Sequence, residues 1–146
     1  MKHSSALAVL LTFAVAAFLG ATAQVTMYRA IGSGTIGGTH PGQFQLNATR
    51  SSAAASKLAA TFTFKEVVKG ATVYQVVLSA APRMLTIAKP SVSISGTGQC
   101  GASRTTVVNN TPIEVTATPK HLTVKCTAVN YVADGDLVSG QINITP

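Results

Sequence analysis

The sequence predicts an all-β protein: a single antiparallel β-sandwich or partly open β-barrel following an N-terminal signal helix. Three features carry that prediction. Apolar and polar residues alternate in run after run, which is the period of a strand with one buried face. Glycine, proline and asparagine punctuate the chain at short intervals, as in sandwiches and small barrels. Two cysteines, Cys100 and Cys126, form an even pair of the kind that an oxidising compartment closes.

The chain of 146 residues opens with Lys2 and His3, runs without charge from Ser4 to Ala23, and ends that run on Ala21, Thr22 and Ala23 before Gln24. A cationic start, a short apolar helix and small residues around one position are what export machinery and signal peptidase recognise. Residues 1–23 therefore read as a signal peptide and 24–146 as a single secreted β domain. The uncharged stretch is barely long enough for a bilayer of about 30 Å and has no charged stop after it. No later stretch is apolar enough to span, so no transmembrane segment is expected after cleavage. The expected location is secreted, either extracellular or in the periplasm and cell envelope.

The strands follow in order. Phe44, Leu46 and Ala48 alternate with Gln43, Gln45, Asn47 and Thr49; Leu58, Ala60, Phe62 and Phe64 alternate with Thr61, Thr63 and Lys65. Tyr74, Val76, Leu78 and Ala80 point one way and Val73, Gln75, Val77 and Ser79 the other, which predicts a central strand covered on both faces. Val92 and Ile94 sit between serines, and Ile113, Val115 and Ala117 between Glu114, Thr116 and Thr118. Leu122, Val124, Cys126 and Ala128 share a face, which sends Cys126 into the core; Val138, Gly140, Ile142 and Ile144 form a last strand.

Turns are expected at Gly37-Gly38, His40-Pro41-Gly42, Lys69-Gly70, Ala81-Pro82, Lys89-Pro90, Gly96-Thr97-Gly98, Asn109-Asn110, Pro119-Lys120 and Asp134-Gly135. Of these, Asp134-Gly135 has the strongest local signal, because both central residues of a type I′ hairpin need positive φ. It predicts a hairpin between a strand ending near Ala133 and one beginning at Asp136. Ser51 to Lys57 reads as a loop or single turn.

Lys and Arg outnumber Asp and Glu by 11 to 4. Cleavage would remove only Lys2, leaving ten against four, so this is a basic protein by scarcity of acids. The cations are spread singly, which speaks against a nucleic-acid partner. A diffuse positive field favours anionic polysaccharide or an envelope surface, although net charge serves solubility first.

The chemistry on offer is thin. Gly32, Gly34 and Gly37 match the letters of a dinucleotide fingerprint, but no helix pattern follows and no acid occurs before Glu66. A glycine-rich strand and turn accounts for them. Glu66, Glu114, Asp134, Asp136, His40 and His121 are the mature chain's acids and histidines, and they read as isolated surface side chains. Glu66 with Glu114 is the only far-separated glutamate pair for a glycosidase, and no nucleophile elbow supports a serine triad. Asp134 and Asp136 offer calcium two carboxylates without a third acid or closing glutamate. No catalytic residue, metal site or cofactor is implied. Asn47, Asn109 and Asn143 fit the glycosylation acceptor pattern, which matters if the host is a eukaryote; Pro146 after the third hinders modification there. The mature chain has no Trp and three tyrosines, Tyr28, Tyr74 and Tyr131, a poor supply for an aromatic sugar platform.

A Gly-rich opening strand (Gly32 to Ile36), a Phe-rich strand (Thr61 to Phe64), a Tyr-Val strand (Val73 to Val77), a Ser-Gly-Thr-Gly segment (Ser95 to Gly98) and a closing Gly135 to Ile144 follow one another. Together they resemble the small exported β domains of bacteria of the post-COAP type. Asn130 to Ala133 departs from that pattern, where an Asp-rich turn is expected. The resemblance implies fold and export, and brings no catalytic residues with it.

The sequence thus leads to a secreted non-enzymatic β module with a binding or structural role. The competing reading is a small secreted enzyme or enzyme inhibitor with a site built on loops. The exported form is expected to begin at Gln24; mass spectrometry of secreted protein that found residues 1–23 still attached would overturn this.

Overall fold

Alternation fixes which side chains of each segment turn inward, and nine strands result in the computed structural model, which describes residues 23–53, 57–102 and 107–146. Apart from Ala23, the predicted signal peptide lies outside the described residues. The strands are β1 (Met27–Ile36), β2 (Gly42–Ser51), β3 (Ala59–Val68), β4 (Ala71–Leu78), β5 (Met84–Ala88), β6 (Ser91–Ala102), β7 (Val107–Ala117), β8 (His121–Cys126) and β9 (Tyr131–Thr145). Every pairing is antiparallel, in the order β4-β3-β2-β1-β9-β8-β7-β6-β5.

One further pairing turns this sheet into a barrel. The second half of β6 bonds to β4, from Leu78↔Gly98 to Tyr74↔Ala102, so eight strands close a ring. On the same edge the first half of β6 bonds instead to β5, from Met84↔Ser95 to Ala88↔Ser91. The barrel is therefore closed along one half of β6 and open along the other, where β5 presents its free edge towards β2. An eight-stranded ring has an interior just wide enough for side chains to fill. Here Phe44, Phe62, Phe64, Val76, Ile94, Ile113 and Leu122 are among those filling it. Apolar residues face in and polar residues out, the inverse of the alternation in a membrane-spanning barrel. No helix among the described residues is long and apolar enough to cross a membrane.

Cys100 on β6 and Cys126 at the end of β8 are bonded across β7, and both are fully buried. The core therefore receives the pair as the phase of Cys126 predicts. Closing a loop of 26 residues restricts the unfolded chain by about 3.5 kcal/mol.

Several local expectations fail, and each failure has a cause. Asp134-Gly135 is no turn: both residues lie inside β9, where Asp134 pairs with Thr123 and Gly135 with Leu122. Gly135 answers to a close approach instead, since a Cβ there would stand 2.1 Å from the Gly37 carbonyl oxygen. The chain enters β9 through a 3-10 turn (Thr127–Val129) that leaves Ala128 exposed and ends on Asn130 in the left-handed region. Two-residue hairpin geometry with positive φ at both positions occurs at Lys69-Gly70, between β3 and β4. Gly96, Thr97 and Gly98 are strand, at the point where β6 changes partner from β5 to β4. Asn109-Asn110 is a bulge in β7, with Asn110 at φ 53°, and it opposes the register shift between Gly98 and Cys100.

The inward face of β9 changes phase at another bulge. Ile36 pairs with Leu137 but Thr35 with Ser139, so Val138 is the extra residue and is 74% exposed, while Ile142 and Ile144 are buried as expected. β4 does lie between two neighbours, β3 and β6, but its outer face is uncovered and Val73 is exposed. Met84–Ala88, a strand the sequence reading does not separate, is too short for its alternation to stand out.

Replacing Gly135 with Val is expected to cost about 1–3 kcal/mol, the range for forcing extra atoms into a packed site, and to lower the melting temperature. An unchanged melting temperature would show that β9 does not pass Gly37 so closely.

Candidate functional site

Outward side chains of β3, β2, β1 and β9 fall into cross-strand rows, because the four registers are aligned. Lys65, Gln43, Thr35 and Ser139 form one row; Thr63, Gln45, Ser33 and Gln141 the next; Thr61, Asn47, Ile31 and Asn143 the third; Ala59, Thr49, Arg29 and Thr145 the last. The short side chains of β1 run between taller amides on either side, and this relief makes a groove of about 500 Å³ over Ile31 and Ser33, flanked by Gln45, Asn47, Gln141 and Asn143. It continues towards Thr35, Gln43 and Lys65 as a second hollow of about 350 Å³. The rows carry amides, hydroxyls and two cations, and no carboxylate. Thr35 and Ser139 share a hydroxyl hydrogen bond of 2.7 Å. Such a surface offers paired donors and acceptors to a ligand rich in hydroxyls.

The acids lie elsewhere. Glu66 points into the barrel end, 9% exposed, and its two oxygens are both engaged. The Tyr131 hydroxyl donates to Oε2 at 2.8 Å, and His40 Nδ1 lies 3.0 Å from Oε1. Tyr74 stacks on Tyr131 with ring centroids 3.9 Å apart, and the His40 ring tilts against Tyr131 at 4.9 Å. Burial pushes the Tyr131 hydroxyl pKa far up, reinforced by its bond to Glu66 and the charge there. Burial, then the Glu66 charge, raises that of Tyr74, whose hydroxyl has no hydrogen-bond partner among the described residues. This cluster locks a buried charge with the donors it needs.

The second cluster is on the surface. His121 Nδ1 meets Asp136 at 2.8 Å and Nε2 meets Asp134 at 3.0 Å, while Thr123 donates its hydroxyl to Asp134. Adjacent strands impose this, since His121 pairs with Asp136 and Thr123 with Asp134. The bonds to Asp136 and then Asp134 raise the histidine's pKa; the bond from Thr123 and then that from His121 lower the carboxyl of Asp134. With a carboxylate at each ring nitrogen, the imidazolium is the favoured form and no lone pair is left to activate a nucleophile.

The histidines and three of the four acids are thus not isolated, contrary to the sequence reading. Glu114 is, standing exposed on the outer wall of β7, while Glu66 faces inward, so the two glutamates do not face each other across a cleft. Asp134 and Asp136 turn to His121, and among the described residues no three His, Cys, Asp or Glu side chains converge on a metal position. Gly32 and Gly34 lie within β1, and Gly37 follows it. Asn47, Asn109 and Asn143 are all exposed, and Asn47 and Asn143 both pair with Ile31, so two of the three acceptor asparagines rim the groove. The chain matches no protein family, no curated protein and no solved structure.

Sequence reasoning missed the Glu66–Tyr131–His40 cluster. Its one signal was phase: Phe62, Phe64 and Glu66 share a face, and the first two are core residues.

The His121 pairing gives a pH dependence. A raised histidine pKa contributes stability that is complete below the ordinary value of 6.5 and is lost as pH rises through the raised one. A lowered Asp134 pKa contributes above the ordinary 3.8 and is lost as pH falls through the depressed value. The stability difference between the protein and its His121→Gln variant is therefore expected to peak between those two pH values. It should stay within about 1 kcal/mol, because the groups are solvent-screened, and shrink above neutrality. Denaturation at stepped pH values checks this; a difference that does not vary with pH would overturn it.

Proposed function

We propose that this chain is an exported, non-enzymatic β module of the extracellular space or cell envelope, and that it binds a polyhydroxylated polymer along the outer face of β3, β2, β1 and β9. The observation that carries the reading is the four-row ladder of amides and hydroxyls, grooved over β1 and free of carboxylates. A strand rises about 3.3 Å per residue and neighbouring strands lie about 4.8 Å apart. Outward positions therefore repeat at about 6.6 Å along each strand, a spacing that lets neighbouring rows address the separate hydroxyls of one extended chain.

Export is supported by the leader-like start of the sequence and by a buried disulfide, a bond that persists in oxidising compartments. A binding role is supported by the engagement of His40 and His121 with carboxylates, in arrangements that stabilise the barrel. With its aromatic stack at the end of the barrel instead of on the ladder, the protein would recognise a sugar through directional polar contacts.

Titration of a soluble neutral hexose polymer into the protein tests the reading. Gln45→Ala combined with Gln141→Ala is expected to weaken binding about tenfold, the equivalent of one to two net hydrogen bonds, while Glu114→Gln on the opposite wall has no effect. Equal affinity of all three proteins, or no binding of the polymer, would overturn it.

A further inference from the structure

The opening between β5 and β2 holds a second feature. Arg50, the penultimate residue of β2, reaches across the seam and donates from Nη1 to the Leu85 carbonyl on the free edge of β5 at 3.3 Å. Arg83 stands just before β5, held by its backbone N–H to Ser95 O at 2.8 Å. Between them is a cleft of about 430 Å³ whose walls also include Ser51, Ser52 and Thr86.

Among the described residues neither guanidinium has an ion-pair partner. The chain has four acids after its leader. Glu66, Asp134 and Asp136 are engaged by histidines, Glu114 is exposed on β7, and none of the four lines the cleft. A guanidinium anchored by one N–H to a backbone carbonyl keeps its other donors in a fixed fork, which suits the paired oxygens of a carboxylate, sulfate or phosphate. Arg83, exposed and held only through its backbone N–H, brings a second cation to the same cleft, and an anion there offsets the repulsion between the two.

We infer that the Arg50–Arg83 cleft is an anion subsite that takes the acidic substituent of an anionic polysaccharide. This rests on the polymer-binding reading above and adds the charge of the polymer to it. Asn47, at the groove, and Arg50, at the cleft, are three residues apart on β2, about 10 Å by strand rise; Asn47 is in the outward phase and Arg50 in the inward phase near the strand's end, so a polymer that meets both passes over the rim of the barrel.

The experiment has two arms. In the first, inorganic sulfate is titrated into isotopically labelled protein at ionic strength held constant with chloride, and the Nε–H signals of the arginines are followed. Saturable shifts confined to Arg50 and Arg83 are expected, with affinity falling about tenfold or more in Arg83→Gln. Shifts spread evenly over all arginines, or none, would overturn the subsite. In the second arm a sulfated or carboxylated polysaccharide is compared with its neutral parent. Tighter binding of the acidic polymer, lost in Arg83→Gln while the neutral polymer binds that variant as before, supports the inference. Sulfate binding in the first arm with equal affinity for the two polymers would overturn the polysaccharide source and leave a site for free oxyanions. Binding of neither polymer would instead overturn the polymer-binding reading. The Arg83 side chain is exposed, so its replacement leaves the core intact, and the melting temperature of the variant checks that.

Discussion

Closure of the barrel rests on one strand serving two partners along a single edge. β6 bonds to β5 over its first half and to β4 over its second, and the exchange is possible because Gly98 has no side chain: a Cβ there would lie 2.0 Å from the Val77 carbonyl oxygen. Gly96 stands just before it, with Leu78 occupying the space its side chain would need. Without that contact, β4 and the second half of β6 would both be open edges, with unpaired backbone groups that attract other chains. With it, the inward residues of eight strands share one interior, and the disulfide sits inside that interior, tying β6 to β8.

The same exchange shapes the surface. Because β5 diverts half of β6, the ring stays open between β5 and β2, and a side chain takes over where a strand would otherwise bond. Arg50 satisfies the Leu85 carbonyl on the exposed edge, which places a cation at the seam and starts the basic cleft. Far from the seam along β2, near Gly42, the barrel end is plugged by polar chemistry of a different kind: Glu66, His40 and the two stacked tyrosines. Both ends are thus finished by charged groups, one with its counter-charges supplied internally and one without.

Scarcity of acids decides which. Three of the chain's four Asp and Glu side chains meet histidines, and the many lysines and arginines have almost nothing within the chain to neutralise them. The basic character is therefore concentrated by default wherever cations come together in a hollow. The ladder on the outer wall also carries Lys65 and Arg29, but in separate rows, whereas Arg50 and Arg83 share one cleft at the barrel end.

The sequence by itself determined the class of fold, most of the strands, their buried faces and the pairing of Cys100 with Cys126, because a period of two is written locally and two cysteines allow one bond. It could not distinguish a turn from a bulge or a close approach. Gly135, Gly98 and Asn110 have the composition of turns, yet they lie in strands, and what put them there is a neighbour remote in sequence: the Gly37 carbonyl, the Val77 carbonyl and the register of β6. Only the tertiary structure decided that Glu66 meets Tyr131 65 residues away, that His121 is clasped by Asp134 and Asp136, and that Arg50 faces β5. The physical reason is the same in each case: alternation tells a side chain which way to point, but strand order tells it what it will meet, and that order was set by how the whole ring closes.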